Sequence, residues 1–335
     1  MESFAGNGTR FDTKLEMEII KSLDECEKVS GSVVTIGTFD GIHLAHQKII
    51  EQVVSLSRDK NLVATVVTFD PHPRFVISKN DGASFGLLTT TSEKTDLIAQ
   101  LDVDRLVILP FTTEFSQTPP DTFIRDTLFK TIGFQTLIIG YDHGFGKNRA
   151  GDTKFLQKIG DEMNFQIIVQ ESIATHSSII SSTKIRSMVL DGNMTGVLEN
   201  QGRPYCLTGT VVRGDGRGKT LNFPTANIRL NNDNKCIPGN GVYVVNVDVR
   251  GVKYQGAMNI GFRPTFDKDL LTLEVHLLDF NKTIYDEAIT VSFLKQIRKE
   301  KKFDSQDILK KQIKSDINYT RSFFVESTES VNSNN

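Results

Sequence analysis

Two histidines three residues apart, His43 and His46, follow a glycine-bearing turn in the first part of the chain. The turn lies between an apolar run, Val33 to Ile36, and an amphipathic run from Gln47, a pattern that predicts a strand, a tight turn and a helix. The N–H groups and dipole of a helix start favour an anion, and histidines at this spacing share one helix face. The segment therefore predicts a phosphate site formed by Gly37, Phe39, Asp40, Gly41, His43 and His46. The spacing alone also fits an ordinary tight turn or a metal pair.

A second candidate is a hydroxyl-rich segment, Ile180 to Arg186, which follows a predicted strand and opens a helix. Its hydroxyls can simply cap the helix N-terminus. If the segment lies at the same sheet edge as the histidines, the hydroxyls and the guanidinium would complete a triphosphate site. The candidate phosphate-binding residues here are Ser181, Ser182, Thr183 and Arg186.

Loops after two other predicted strands also carry polar side chains. One contains Asp70, His72, Pro73 and Arg74, where the prolines stiffen the loop and the other side chains supply donors. An incidental proline-rich turn explains this spacing equally well. The other loop is glycine-rich, runs from Gly140 to Lys147, and includes Asp142 and His143. Its Lys147 and the following Arg149 could both bind phosphate.

The second half of the chain contains a glycine-rich stretch, 214–227. Gly214, Gly216 and Lys219 predict a phosphate loop, although the spacing is not that of a Walker loop and no helix follows. Thr225 and Asn227 alternate along a predicted strand, so both present oxygens suited to Mg²⁺ on one face. Without further support, a glycine-rich hairpin leading to an ordinary strand explains the same residues.

The elements that would position these residues fall into two patterns. From Val33 to about Gly192, short β-branched runs alternate with amphipathic runs, which predicts an α/β fold with a doubly wound parallel sheet. Ligands of such sheets bind at the carboxyl ends of the strands. The predicted strands are Val33 to Ile36, Leu62 to Phe69, Arg105 to Leu109, Thr136 to Ile139 and Gln166 to Val169; the predicted helices are Gln47 to Arg58, Ser92 to Gln100, Asp121 to Lys130 and Thr153 to Met163.

Beyond Gly192 a short helix, Met194 to Glu199, precedes a change to alternating periodicity. Six short strands without intervening helices predict a small all-β six-stranded barrel, followed by a C-terminal helix, Ser305 to Phe324. The predicted strands are Tyr205 to Val212, Thr225 to Arg229, Gly241 to Val249, Val252 to Ile260, Thr272 to Leu278 and Ala288 to Phe293. We therefore expect domains at 14–192 and 200–325, with loose termini at 1–13 and 326–335.

Composition indicates an ordinary globular protein of 335 residues, with 38% hydrophobic and 24% charged residues and a net charge of −2. This charge provides no basic surface for nucleic acid. The three cysteines have no metal-binding spacing and favour reduced thiols, and no apolar run is long enough to span a bilayer. We expect a cytoplasmic protein that acts on small phosphorylated ligands, with neither nucleic acid nor a membrane as partner.

The motifs of the first half resemble those of bacterial FAD synthetases, which are nucleotidyltransferases. The stretch 37–46 matches the pattern G-x-F-D-G-x-H-x-G-H, and 180–186 matches I-S-S-T-x-I-R at every fixed position. The loops at Asp70 and Asp142 are similar to the F-x-P-H-P and G-x-D-F-x-F-G elements of that family. Two residues differ from the pattern: Ala45 replaces a glycine, and His143 replaces a phenylalanine.

The second half resembles riboflavin kinases. Their motif G-x-P-T-A-N is matched at 222–227, with Asn222 for the usual glycine, and the stretches containing Arg263 and Glu274 are also similar to that family. Asn tolerates positive φ better than most residues. The resemblance implies that Glu274 is the general base toward the ribityl 5′-hydroxyl of riboflavin, and that Thr225 and Asn227 hold Mg²⁺.

Together the two resemblances imply a bifunctional flavin-forming enzyme. Riboflavin would be phosphorylated by ATP to FMN, and FMN adenylylated by a second ATP to FAD, with release of pyrophosphate. His43, His46 and Arg186 would act in the second reaction, and the flavin would be bound by Asp70, His72, Pro73, Asp142 and Arg263. The alternatives are a chain that retains only one activity, or a flavin-binding regulator.

Overall fold

A computed structural model describes residues 16–27, 31–77, 85–141, 144, 146, 151–175, 178–214, 216, 218, 221–263 and 270–332. These residues form two compact units. The α/β unit comprises the described residues within Met1–Thr38, Gln47–Lys79 and Thr95–Glu171. The barrel unit comprises those within Phe39–His46, Asn80–Lys94 and Ser172–Asn335. Several sequence motifs of the first half therefore belong to the barrel unit.

The α/β unit contains a six-stranded parallel sheet in the order β1-β4-β3-β2-β5-β6. The five predicted strands are confirmed to within one residue at each end. A sixth, β1, was not predicted because three residues are too few to show periodicity. It pairs with β4, where Arg105 Nε donates to Glu18 Oε2 at 2.7 Å. The strands are β1 (Glu18–Ile20), β2 (Ser32–Ile36), β3 (Val63–Asp70), β4 (Arg105–Pro110), β5 (Thr136–Gly140) and β6 (Gln166–Gln170).

Both faces of this sheet are buried, as expected for a doubly wound fold. Val34 and Ile36 contribute to one apolar cluster, whereas Val33, with Ala64 and Ile138, contributes to another. The helices are α1 (Leu44–Lys60), α2 (Pro73–Ile77), α3 (Thr91–Ala99), α4 (Thr113–Ser116), α5 (Pro120–Thr122), continued by a π-helix (Phe123–Lys130), and α6 (Thr153–Met163). Helix α1 begins three residues earlier than predicted, so His46 lies in its first turn.

The barrel unit contains a closed antiparallel barrel in the order β10-β13-β12-β11-β14-β9, which confirms the predicted architecture. Alternate residues of β9 point inward, so the interior is apolar. The predicted strand at Thr225 is one residue too early, since β10 begins at Ala226. The elements are β7 (Ala174–Thr175), β8 (Ser178–Ile179), α7 (Ser182–Leu190), α8 (Met194–Gln201), β9 (Tyr205–Val212), β10 (Ala226–Leu230), β11 (Gly241–Val249), β12 (Val252–Arg263), β13 (Leu270–Leu277), β14 (Ala288–Lys299) and α9 (Gln306–Asn332).

The helices α7 and α8 share one hydrophobic core with the barrel strands. Ile185 and Val197 from these helices belong to the same buried cluster as Tyr243 and Phe293. Leu88, from the segment 85–94, joins this cluster too. The final helix, α9, ends at Asn332 rather than at Phe324, so it extends into the segment for which a loose terminus was predicted.

Candidate active site

The two motif histidines stack on each other in the barrel unit. The ring centroids of His43 and His46 are 3.6 Å apart and the rings are inclined by 16°. The backbone N–H of His46 donates to Nδ1 of His43 at 3.3 Å, which assigns the ring proton of a neutral His43 to Nε2. Phe39 contacts His46 edge-on, with a centroid distance of 5.2 Å. The pair is therefore fixed in orientation from both sides.

Burial keeps both imidazoles neutral. The side chain of His43 is 4% exposed, and desolvation lowers its pKa from 6.5 to about 4, although the carboxylate of Asp40 partly opposes this change. Burial also holds the pKa of His46 well below 6.5, with smaller contributions from His43, Lys94 and Arg203. Nδ1 of His46 has no hydrogen-bond partner among the described residues. The pair thus provides neutral N–H donors at physiological pH.

The turn before the histidines has an unusual backbone. Phe39, Gly41 and Ile42 have φ values of 46°, 87° and 35°, in the left-handed region. Glycine is required at position 41 for two reasons: its φ is positive, and a Cβ there would lie 2.9 Å from Cδ1 of Leu88. The strain at the two non-glycine positions must be offset by surrounding contacts.

These contacts are hydrogen bonds to Gly41 and Ile42. The N–H of Gly41 donates to Oγ1 of Thr89 at 2.9 Å. The guanidinium of Arg203 donates to the carbonyls of Gly41 at 2.6 Å and Ile42 at 2.8 Å, and Nε2 of Gln201 reaches the Gly41 carbonyl at 3.2 Å. Burial lowers the pKa of Arg203. The turn is thus held by Thr89, which precedes α7 in the sequence, and by Gln201 and Arg203, which follow it.

The carboxylate of Asp40 is the centre of this arrangement, and the residue is only 1% exposed. Its Oδ2 accepts from Nη2 of Arg186 at 2.6 Å. Its Oδ1 accepts from the backbone N–H groups of Leu88 at 2.9 Å and Thr89 at 3.0 Å. Both carboxylate oxygens are therefore occupied by donors of the protein itself.

The hydroxyl-rich segment meets the histidine turn through two contacts. Ser182 donates from Oγ to the carbonyl of Asp40 at 2.8 Å, and Arg186 forms the buried ion pair. Arg186 also donates from Nε to the carbonyl of Gly86 at 2.7 Å, with its guanidinium carbon 4.2 Å from the ring centroid of Phe85. Oγ of Ser181 caps α7 by accepting from the N–H of Lys184. Thr183 is exposed in the first turn of α7.

Several residues of this site were not predicted from the sequence. Thr89, Gln201 and Arg203 lie outside both motifs. Their contacts depend on backbone carbonyls and on N–H groups of the turn, for which sequence patterns give no signal. Polar residues beside a predicted domain boundary were the one available indication.

Three predicted flavin-binding residues, Asp70, His72 and Pro73, lie in the α/β unit. Asp70 is the exposed last residue of β3, Nδ1 of His72 accepts from the N–H of Arg74 at 3.2 Å, and Pro73 begins α2. Gly37, also in this unit, donates its N–H to the carbonyl of Val67 at 3.0 Å. The predictions for Asp142, Lys219 and the side chain of Arg263 lie outside the described residues.

A second polar cluster lies on the outside of the barrel. Asn227 on β10 is directly opposite Glu274 on β13, and Oγ1 of Thr225 donates to Oε2 of Glu274 at 3.4 Å. The neighbours of Glu274 on its strand, Leu273 and Val275, are buried, which confirms the predicted alternation. Thr225 and Asn227, which the sequence indicated as a pair, are therefore adjacent to Glu274 in the fold.

Two glycines near this cluster, Gly214 and Gly218, are packed too closely to carry a side chain. A Cβ on Gly214 would lie 2.2 Å from Nδ2 of Asn227, and one on Gly218 would lie 2.4 Å from the carbonyl oxygen of Phe223. Asn222 has a φ of 65°, the conformation that the replaced glycine would adopt freely. Gly216, also with positive φ, has open space around it.

His276 lies two residues beyond Glu274 on the same face of β13. A hydrogen bond of 2.7 Å joins its Nδ1 to the carbonyl of Pro224, so Nδ1 is the donor and carries the proton. Its ring also meets Phe223 edge-on, at 6.1 Å between centroids. Thr225 directly follows Pro224, so the hydrogen bond from His276 also fixes the position of Thr225 relative to β13.

The donor sets indicate which metals fit. The described residues contain no group of three or more His, Cys, Asp and Glu side chains arranged to hold a metal ion. The hydroxyl of Thr225, the amide oxygen of Asn227 and the carboxylate of Glu274 are hard oxygen donors, which suit Mg²⁺ better than a soft transition metal. The cysteines are free thiols, and burial raises the pKa of Cys236 to about 11.

Comparisons with known proteins match each half of the chain to a different family. Residues 25–184 match the FAD synthetase family, and residues 201–324 match the riboflavin kinase family. A protein of Listeria monocytogenes named bifunctional riboflavin kinase/FMN adenylyltransferase is 37% identical over 87% of this chain and 92% of its own. A protein of the same name from Buchnera aphidicola is 35% identical over 92% of this chain and 99% of its own.

A solved structure from Streptococcus pneumoniae, named a macrolide-efflux protein, has a TM-score of 0.83 and 32% identity, covering 92% of this chain and 99% of that chain. Its name describes efflux, whereas both family matches and the curated relatives describe flavin chemistry. Among the helices that the structure describes, none is both long and apolar enough to cross a membrane.

Proposed function

Because the chain belongs to the bifunctional riboflavin kinase/FMN adenylyltransferase family, we propose that its two reactions are carried out by the two polar clusters described above. The chain phosphorylates riboflavin to FMN and adenylylates FMN to FAD, so its substrates are ATP, riboflavin and FMN. The histidine cluster, formed by Asp40, His43, His46, Ser182 and Arg186, would serve adenylyl transfer. The Thr225 cluster, formed by Thr225, Asn227 and Glu274, would serve phosphorylation.

In adenylyl transfer, a phosphate oxygen of FMN attacks the α-phosphorus of ATP. The bond between that phosphorus and the bridging oxygen to the β-phosphate breaks, and pyrophosphate leaves. His43 and His46 would donate N–H groups to the phosphate oxygens as neutral imidazoles, because burial prevents their protonation at physiological pH. The phosphate nucleophile is already anionic, so positioning supplies most of the catalysis and no covalent intermediate is needed.

Arg186 would stabilise the negative charge of the transition state with the N–H groups that its protein contacts leave available. Its ion pair with Asp40, 2.6 Å long, fixes the guanidinium before substrate arrives. The proposed contribution of Asp40 is therefore to position Arg186, since both carboxylate oxygens already accept bonds from the protein. The observation that carries this assignment is the buried contact between the two motifs at Asp40.

In phosphorylation, Glu274 would accept the proton of the ribityl 5′-hydroxyl as that oxygen attacks the γ-phosphorus of ATP. The bond from the γ-phosphorus to the β–γ bridging oxygen breaks, and ADP leaves. Thr225 and Asn227 would hold Mg²⁺, which when bound neutralises charge on the ATP phosphates. Gly214 and Gly216 would allow close approach of those phosphates. The support is the adjacency of Thr225, Asn227 and Glu274.

A cytoplasmic location would suit these substrates and the three free thiols.

The assignment is tested by two variants of the full chain, His46→Ala and Glu274→Gln, each supplied in turn with riboflavin and with FMN, together with ATP and Mg²⁺. Chromatography of the flavins should show that His46→Ala forms FMN but no FAD, whereas Glu274→Gln forms FAD from FMN but no FMN from riboflavin. Loss of both reactions from either substitution, in a folded protein, would refute the assignment of separate sites.

A further inference from the structure

Lys235 is a buried cation that the proposed mechanism does not use. It lies between β10 and β11, in the sequence that matches riboflavin kinase, and is 6% exposed. Its Nζ donates to the carbonyl of Leu88 at 2.8 Å and to Oε2 of Glu93 at 2.5 Å, and lies 5.0 Å from the ring centroid of Tyr205. Both hydrogen-bond partners belong to the sequence that matches FAD synthetase.

The backbone around Lys235 also pairs with the segment 85–94. Leu87 donates its N–H to the carbonyl of Asn234 at 2.7 Å and accepts at its own carbonyl from the N–H of Cys236 at 2.8 Å, which makes a parallel bridge opposite Lys235. Gly86 packs so closely that a Cβ there would lie 2.6 Å from Cα of Cys236. Gly86 and Leu87, at the start of this segment, therefore lie alongside residues 234–236.

This segment supplies several of the donors and acceptors that organise the histidine turn. Leu88 and Thr89 donate N–H groups to Asp40, Thr89 also accepts from Gly41, and Gly86 accepts from Arg186. Lys235 binds the carbonyl of Leu88, the same residue whose N–H holds Asp40. Hydrogen bonds thus link Lys235 to Leu88, Leu88 to Asp40, and Asp40 to Arg186.

We propose that Lys235 is a positioning residue for adenylyl transfer, supplied by the kinase-matching half of the sequence. This inference rests on the proposed role of the histidine cluster. Lys235 fixes the Leu88 carbonyl and the Glu93 carboxylate, and through Asp40 it sets the position of Arg186. Adenylyl transfer then depends on a residue outside the sequence that matches FAD synthetase, whereas phosphorylation does not depend on Lys235.

The test compares Lys235→Met, Lys235→Arg and His46→Ala in the full chain, with Lys253→Met as the matched control, because Lys253 is an exposed lysine on β12. The kcat and KM of both reactions are measured. Lys235→Met should lower the kcat of adenylyl transfer roughly 10- to 100-fold, since small misplacements far from the chemistry have effects of this size. The KM values and phosphorylation should stay within twofold, and Lys235→Arg should restore part of the loss.

A purely structural role would instead lower both activities in parallel, and that result, or adenylyl transfer within twofold of wild type, would overturn the inference. If His46→Ala loses adenylyl transfer while Lys235→Met retains it, the inference fails and the proposed site stands. If His46→Ala itself retains activity, the proposed site is wrong and the inference falls with it.

A double variant, Lys235→Met with Glu93→Gln, keeps the test decisive if Lys235→Met folds poorly. It removes the negative charge of Glu93, which loses its ion-pair partner together with the lysine, but does not replace the bond to the Leu88 carbonyl. We expect phosphorylation to recover and the kcat of adenylyl transfer to stay at least tenfold below that of Glu93→Gln. Recovery of both reactions together would show that Lys235 only stabilises the fold.

Discussion

Replacing Asp40 by asparagine removes one negative charge while keeping the size of the side chain. The amide oxygen can still accept from the N–H groups of Leu88 and Thr89, as Oδ1 does now. The amide nitrogen, however, would face Nη2 of Arg186, where Oδ2 accepts at 2.6 Å. Two donors would then oppose each other in a buried position, and the guanidinium would lose its counter-charge.

The cost follows from the burial of the pair. Asp40 is 1% exposed and Arg186 is 9% exposed, so water cannot replace the lost partner. Breaking a buried ion pair by removing one charge costs about 3 to 5 kcal/mol. Because Arg186 keeps its bond to the Gly86 carbonyl and its contact with Phe85, we expect a value near the lower limit, about 3 kcal/mol, which corresponds to a thermal midpoint roughly 6 to 12 °C lower.

Activity should fall selectively. With Nη2 of Arg186 no longer held by a carboxylate, the kcat of FMN adenylylation should drop roughly 100-fold, while riboflavin phosphorylation at 25 °C stays within twofold. The assay is chromatography of flavins with FMN or riboflavin as substrate, together with thermal unfolding. Asp279→Asn is the matched control: it breaks a pair with Arg321 that is largely exposed, and should change neither the midpoint nor either rate. Adenylylation within twofold of wild type in Asp40→Asn would refute the positioning role of Asp40.

Two further predictions concern histidines. The pKa of His43 is about 4 in the folded protein and near 6.5 in the unfolded chain, so the unfolded chain binds more protons between these pH values. The contribution of His43 to the free energy of unfolding is therefore at its full value above pH 6.5. It falls by about 3 kcal/mol as the pH drops to 4. Denaturant titrations between pH 7 and 4.5 should show a shallower decline for His43→Gln, and equal slopes would contradict the neutral state of His43. Replacing His276 by phenylalanine removes the bond to the Pro224 carbonyl that fixes Thr225, so phosphorylation should fall about tenfold with FMN adenylylation intact; an unchanged rate would show that Thr225 is held by other contacts.

Periodicity predicted most of the fold because both halves have regular patterns. The strands of the sheet and barrel were identified from β-branched runs, and the parallel and antiparallel arrangements followed from the presence or absence of helices between them. The three-residue strand β1 was missed, and so was the extension of α9 to Asn332, because the sequence after Phe324 carries a composition typical of loose termini.

The motifs indicated candidate residues for each proposed site but not the contacts that organise them. His43, His46, Ser182 and Arg186 were chosen as ligands of phosphate, and the structure places them in one unit. What the sequence did not reveal is that Asp40 binds Arg186, or that Lys235 binds Leu88. Such contacts join residues about 150 positions apart through backbone groups, and no local pattern encodes them.

The compact units also differ from a simple division of the sequence. The stretches 39–46, 85–94 and 178–184 lie in the barrel unit, although they belong to the sequence that matches the FAD synthetase family. Ile185 and Val197 explain this in physical terms, since both bury their side chains in the core that the barrel strands form. Helical periodicity reveals that such residues are buried but does not reveal against which element.

The most direct test of two separate sites in one chain is complementation. His46→Ala and Glu274→Gln are incubated with riboflavin, ATP and Mg²⁺, first singly and then as an equimolar mixture, and the flavins are separated by chromatography. We expect FMN alone from the first variant, no product from the second, and FAD from the mixture, because FMN released by one protein is adenylylated by the other. A mixture that accumulates FMN without FAD, while Glu274→Gln fails to adenylylate added FMN, would contradict the account.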